Sequence, residues 1–390
     1  MNARPELDLD LYADEAILDP HPRYRAIRDR AAAVWLPAHE VWALGRFEDA
    51  RAALRADGAL VSGRGVALSA LVNDMSAVSA VTLTSDGETH RRRRSVLMAP
   101  MMPKALAEVR GEIERLARAL VDGLARRDAF DGVADFARHL PVSVVSRLVG
   151  LPEAGRERML EWAAATFDAS GPANARMQAA AGPFIEMAKY VQEVDPATLR
   201  PEGWAARLFA AGAEGRLAPE EVRGLLIDYV APSLDTTIQA TGHLLWLLGS
   251  HPAEWDKVRA NPELVPSAVH EALRYEAPVR SFTRLAVERY QAGEVSIPAG
   301  ERVLVLYGSA NRDERRYADP DRFDPTRDAR DHLAFGHGVH RCAGGHLAQL
   351  ELESLLRALV ERVRRIEVGE PVILMNNVLR GYASFRAAFR

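Results

Sequence analysis

Phe335-Gly336-His337-Gly338-Val339-His340-Arg341-Cys342-Ala343-Gly344-Gly345-His346-Leu347-Ala348-Gln349-Leu350-Glu351 holds Cys342, the only cysteine among 390 residues. Glycines crowd round it at 336, 338, 344 and 345. Beyond it, apolar residues recur at Ala348, Leu352, Leu355, Leu356, Leu359 and Val363, a helical period. A glycine-rich loop therefore presents one sulfur just ahead of a helix, whose free N–H groups and positive dipole end favour a thiolate over a thiol. Glycines without Cβ atoms let a large flat ligand approach the backbone. On spacing alone, Cys342 is either the single sulfur ligand of a metal or a buried hydrophobe, the usual fate of a free cysteine. Zinc is a third reading, since His332, His337, His340, Cys342 and His346 fall within fifteen residues. Structural zinc sites, however, usually combine two short ligand pairs across a longer spacer.

Composition narrows the class. A hydrophobic content of 48% supplies a substantial core, and a formal charge of −4 argues against nucleic acid as a general partner. One cysteine excludes an internal disulfide framework, as expected in a reducing cytosol. The acidic start, Met-Asn-Ala-Arg-Pro-Glu-Leu-Asp-Leu-Asp, lacks the apolar core of a signal peptide, and no apolar run reaches the roughly 20 residues of a membrane helix. A cytoplasmic protein with no membrane partner is expected.

Val34-Trp35-Leu36 and Val41-Trp42-Ala43-Leu44 read as short strands around a turn with Pro37, and Arg46 to Leu54 as helix. Val61 to Val81 has no clear period and is expected to be loop-rich. Long amphipathic helices follow between 103 and 168, such as Leu106 to Leu124, and Gly171-Pro172 breaks the pattern after Phe167. No linker, repeat or low-complexity segment is evident, so residues 1–390 read as one large helix-rich domain. From Pro219, with Glu220 and Glu221 in the first turn, a helix is expected through Leu248, ending at Gly249. Inside it stands Pro232, which has no N–H for the carbonyl of Asp228, so the helix must bend or open there. Apolar runs at 225–230 and 244–248 make an exposed face for Asp235 and Thr236 the weaker reading.

Phe335, Gly338, Cys342 and Gly344 stand as in the haem-binding loop of the cytochrome P-450 superfamily, which the chain resembles over nearly its whole length. Asp235-Thr236 resembles the family's acid–alcohol pair, with Pro232-Ser233 in place of its usual small-Gly pair. Glu271-Ala272-Leu273-Arg274 is similar to the family's Glu-x-x-Arg, and Arg322 in Asp319-Pro320-Asp321-Arg322-Phe323 to the arginine that completes its structural triad. The resemblance implies a mainly α fold with small β-sheets (α+β), triangular, its haem b lying between the long central helix and the cysteine loop. A β-rich lobe is expected near 30–80 and 280–310, with a C-terminal hairpin. Cys342 is the implied axial ligand. Phe335, Gly336 and Gly344 flank the cofactor, and His90, Arg94, Arg284 and His340 contact its propionates. His90 and Arg94, at i and i+4, share one helix face. Arg91, Arg92 and Arg93 then belong to a basic surface for an acidic ferredoxin.

The implied reaction is monooxygenation with O2, using electrons from NAD(P)H passed indirectly through a ferredoxin reductase and a ferredoxin. Asp235 and Thr236 are the implied proton relay. The alternatives are a peroxide-using haem-thiolate peroxygenase, a hydroxylase of a non-aromatic (terpenoid or natural-product) substrate and a non-catalytic haem-binding protein. The stretches 62–69, 309–313 and 376–381 resemble the bacterial subfamily that hydroxylates or O-demethylates para-substituted benzoates, especially 4-methoxybenzoate. That likeness implies a small aromatic substrate in a slot lined by Leu83, Phe167, Ala231 and Phe282. Ordinary core is the other reading of the two phenylalanines and the leucine. The subfamily's carboxylate-gripping arginine and serine align with Ala77, Ala80, Ile227 and Asp228, so no arginine is left and an acid has appeared. Asp228 would repel a benzoate and favour a phenol or an amine, or else be a solvated helix residue. Arg280 would supply a replacement anion anchor if it points inward.

Overall fold

Amphipathic helices build most of the molecule. Pro103–Leu124 lays a buried stripe of Leu106, Ile113, Ala117, Leu120, Val121 and Leu124 along helix Gly345–Arg362, which follows the cysteine loop. Glu153–Ala169 and Ala175–Glu193 form a hairpin of helices on either side of Gly171-Pro172. The computed structural model describes residues 4–77 and 80–390; Met1 to Ala3 of the N-terminal stretch and Val78-Ser79 of the expected loop lie outside the described residues. Among the described residues no helix is long and apolar enough to cross a membrane.

The β-rich lobe is a five-stranded sheet in the order Val34–Leu36, Val41–Leu44, Arg302–Leu306, Ser281–Ala286, Leu60–Val61. Trp42, Ala43 and Leu44 pair in parallel with Val303, Leu304 and Val305, joining segments about 260 residues apart in the chain. Their side chains pack with Ile27, Phe47 and Tyr317 in a second core, separate from the helical one. Near the C-terminus, Arg386–Phe389 pairs with Phe130–Asp131 and Ile366–Val368, and Val372–Ile373 pairs with Tyr382–Ser384. The mainly α architecture with small sheets is therefore as expected.

Two expectations need revision. The stretch read as loop contains helix Ala70–Ala77, whose start Ser69 holds by accepting the Val72 amide at 3.4 Å; its few residues are too short to show a period. The helix expected from Pro219 to Leu248 is two helices, Pro219–Val230 and Asp235–Ser250, with four non-helical residues between them. Pro232 removes one ladder bond, and Leu234, at φ −108°, ψ −64°, caps the second helix in a distorted right-handed conformation. The second helix is buried nearly all round, polar Thr237, Gln239, Thr241 and His243 included, which marks it as the central helix.

Candidate active site

Cys342 is held by its own loop. Its amide donates to the Phe335 carbonyl at 2.7 Å, closing a turn over Gly336 and Gly338. Both glycines have positive φ, +66° and +71°, and a Cβ on Gly338 would sit 2.3 Å from the Leu54 carbonyl oxygen, so no other residue fits there. The Phe335 ring packs beside Gly345 and against the His332 ring, 5.4 Å away centroid to centroid. Gly344 precedes helix Gly345–Arg362, and Cys342 remains exposed on one side. The protein packed round the sulfur raises the thiol pKa, against the pull of the Gly344 and Gly345 amides and of Arg94 and Arg341. The expected helix-end amides are there, but desolvation outweighs them.

Helix Gly87–Met98 crosses this loop. Asp86, just before it, accepts the Ser62 and Gly63 amides at 3.0 and 2.7 Å, tying the β-rich lobe to the crossing helix. His90 is buried and its ring stacks on that of His340, 4.2 Å between centroids. Nε2 of each has no hydrogen-bond partner; that of His340 lies 3.6 Å from Asp86 Oδ1. Burial, then the charges of His340 and Arg94, lowers the His90 pKa to about 4. Arg94 donates to the Arg341 carbonyl and Arg284 to that of Thr283. Neither has a carboxylate partner among the described residues. Four donors from three separate segments thus gather beside the cysteine loop, with the Asp86 carboxylate 3.6 Å from one of them, His340.

Across from them, the opened turn carries Asp235 and Thr236. Asp235 is 9% exposed and its Oδ2 has no partner. Burial raises its carboxyl to about 7, with Arg138 opposing. Thr236 Oγ1 donates to the Pro232 carbonyl at 3.0 Å, and Ser233 Oγ to that of Val230 at 3.3 Å, so side-chain hydroxyls take over carbonyls along the broken ladder. Phe167 is buried with Val378 and Leu379, and Phe282 packs on the same cluster, so the two expected ring-lining residues meet. Ala231 is buried, and Leu83 is half-buried beside Thr82.

Residues 204–376 match the family model described as Cytochrome P450. The chain is 35% identical over 384 residues to cytochrome P450 CYP199A2 of Rhodopseudomonas palustris, covering 97% of this chain and 93% of that one. It is 32% identical to the cytochrome P450 monooxygenase PikC of Streptomyces venezuelae, over 99% of this chain and 95% of that one. Among solved structures, that of P450BioI in complex with hexadec-9Z-enoic acid ligated acyl carrier protein superposes with a TM-score of 0.85 at 26% identity, covering 96% and 99%. The chain is a cytochrome P450.

This P450 is a monooxygenase of the haem-thiolate class, with haem b as cofactor and NAD(P)H acting indirectly through redox partners. Several residues lie elsewhere than expected. Glu271 and Arg274 form a fully buried pair, Arg274 Nε and Nη2 donating to the carboxylate at 2.7 and 2.8 Å. Arg322 does not complete it. Its side chain is 58% exposed and reaches only Asp324, at 3.9 Å. Arg327 donates to Glu271 Oε1 at 3.3 Å instead, and to the Ala318 carbonyl at 2.7 Å. The neighbour of Arg322, Phe323, is buried in the core at 1% exposure.

The basic run is largely paired with acids of the P450 itself. Arg92 forks onto Glu221 with two bonds of 2.6 Å, Arg93 adds a third at 2.9 Å, and Arg91 pairs with Glu88. Glu221 is buried, and the Arg92 bonds hold its carboxyl at about 2. Arg92 and Arg93 thus clamp the crossing helix to the broken one, while the side chains of Arg91 and Arg92 stay 67% and 43% exposed. Arg280 points away from an anchoring role: it is buried and gives its bonds to the carbonyls of Leu11 and Asn377. The histidines near Cys342 disperse, His332 to His270, His337 to Arg55 and His340 to His90. Among the described residues no group of three or more His, Cys, Asp or Glu could hold a metal ion, so the zinc reading fails. Two organising residues had no sequence signal: Asn377, which bonds Asp168, Asn174 and Arg176, and Arg327.

Proposed function

We propose that this P450, acting as one catalytic domain, hydroxylates or O-demethylates a small aromatic substrate, with electrons delivered by a ferredoxin and its reductase. Haem b fits the residues present. Cys342 would be its axial ligand, within the loop of Phe335, Gly336 and Gly344. The unpartnered His90 and His340 nitrogens, with Arg94 and Arg284, supply donors and positive charge for two propionates. When bound through a thiolate, haem supplies O2 activation and O–O cleavage.

The chain's own contribution is to hold a proton and a dry slot. The single observation that carries the reading is the opened turn, where Asp235 stands with an unpartnered Oδ2 and a pKa of about 7 beside the Thr236 hydroxyl. A carboxyl at that value passes a proton near neutral pH in either direction. Thr236 gives its own proton to the Pro232 carbonyl, which leaves its oxygen lone pairs to accept another donor. Phe167, Phe282, Val378 and Leu379 form an apolar cluster against which a bound ring would pack.

Thr236→Ala tests the assignment. In the haem-loaded enzyme with ferredoxin, reductase and NADH, it should still consume NADH but release hydrogen peroxide in place of product. Unchanged coupling would remove Thr236 from the relay. Turnover with peroxide alone equal to that with ferredoxin and NADH would favour a peroxygenase.

A further inference from the structure

A closed run of polar contacts passes through the cysteine loop. Gln349, on helix Gly345–Arg362, lies with its amide nitrogen 3.4 Å from His270 Nε2, on helix Val265–Tyr275. His270 Nδ1 is 3.3 Å from His332 Nε2, and His332 Nδ1 accepts the Ala334 amide at 3.1 Å. The His332 ring packs on Phe335, whose carbonyl holds the Cys342 amide at 2.7 Å. Gln349 itself stands just beyond Cys342 in the chain, so the circuit returns to its start.

Only one arrangement of protons fills this circuit. The Ala334 N–H can only donate, so His332 Nδ1 is bare and the neutral ring carries its proton on Nε2. That proton faces His270 Nδ1, which must be bare in turn, leaving the His270 proton on Nε2. A half-turn of the Gln349 amide gives it a carbonyl oxygen. With either ring protonated, two N–H groups would face each other, at Ala334 or between the rings. An added proton therefore breaks the circuit wherever it lands. The surroundings keep the pair neutral. Burial lowers the His332 pKa to about 3, and His270, Arg341 and Arg274 add to this. Burial also lowers His270, helped by Arg330 and Arg341 and opposed by Asp328. The helix after the loop contributes Gln349, which is uncharged.

We propose that His332, bonded through His270 to Gln349, is a positioning residue for Cys342: the neutral pair holds the loop in its haem-ligating form, and protonation of the pair releases it. This goes beyond the proposed reaction and is independent of the substrate. A histidine whose pKa falls on folding contributes stability that is full above its unfolded value of 6.5 and is lost as pH drops toward about 3, so release is on the acid side.

The test follows the Soret band of the ferrous carbon-monoxide complex of the haem-loaded protein, which separates thiolate ligation from a protonated or displaced sulfur. Far-UV circular dichroism follows the fold in the same samples, from about pH 8 to about pH 3. His332→Phe keeps a ring on Phe335 and loses both nitrogens, and should lose part of the thiolate band at neutral pH with helix content unchanged. His270→Leu strands the His332 proton and should do the same. His270→Asn keeps an acceptor at the place of Nδ1 and should retain the band. Gln349→Glu leaves the neutral circuit intact but favours the charged His270 ring, and should move the acid loss of the band up by about one pH unit. Full thiolate bands in both His332→Phe and His270→Leu, or band and helix content lost together in parallel, overturn the proposal. So does an acid midpoint in Gln349→Glu that stays where it is in the unmodified chain. If the two disruptive variants fail to fold, Gln349→Glu decides alone.

Discussion

The Thr82 amide and the Asp228 carboxylate, 146 residues apart in sequence, meet at 2.7 Å. This bond pins the loop that enters the crossing helix onto the first half of the broken helix. Burial raises the Asp228 carboxyl to about 6, although the Thr82 bonds and the charges of Arg93 and Arg94 pull it down. A carboxyl raised on folding contributes stability that is full below its unfolded pKa and is lost as pH rises through the folded value. Relative to the unmodified protein, Asp228→Asn should therefore gain stability between pH 4 and pH 8. For a half-buried group the gain is about 1 kcal/mol, read by thermal unfolding across that range. A flat difference would mean that the carboxyl ionises at its ordinary pKa.

Asp235 predicts a pH dependence of the reaction. With its carboxyl at about 7, the protonated fraction falls as pH rises through that value. Turnover should fall with it on the alkaline side. In Asp235→Asn that limb should disappear and kcat should drop about 10²-fold.

Arg327 and Arg322 should separate cleanly in stability. Arg327→Ala removes bonds to Glu271 and to the carbonyls of Ala318 and Asp319, and leaves the buried Glu271 short of a donor. It should cost about 1–3 kcal/mol. Arg322→Ala, at an exposed pair 3.9 Å long, should stay within about 0.5 kcal/mol. Chemical unfolding of the haem-loaded proteins measures both.

Glu351 is buried at 1% exposure within the helix after the cysteine loop, and neither of its carboxylate oxygens has a partner. Burial raises it to about 8. Glu351→Gln should be nearly neutral at pH 5, where the carboxyl is protonated in the fold. At pH 9 it should stabilise by about 1 kcal/mol or more, since an ionised and unpaired carboxylate is then absent. Equal effects at the two values would place a partner on the carboxylate.

What the sequence determined by itself was local and periodic. Helix stripes such as Leu106 to Leu124, the glycine turn before Cys342 and the break at Pro232 depend on neighbours within a few residues, and each is found where it was expected. The Glu271–Arg274 pair, three residues apart on one helix, was legible for the same reason. Tertiary structure alone decided which charges were still free. Arg93 looked like surface until Glu221 arrived from 128 residues away, Arg280 looked available until Leu11 and Asn377 closed on it, and Arg327, not Arg322, reached Glu271. An arginine carries the same charge wherever it stands, and its role depends on which acceptor the fold brings within about 3 Å. The same holds at Cys342. Its loop was readable in the chain, whereas the unpartnered His90, His340 and Asp235 atoms around it exist only because distant segments buried them together.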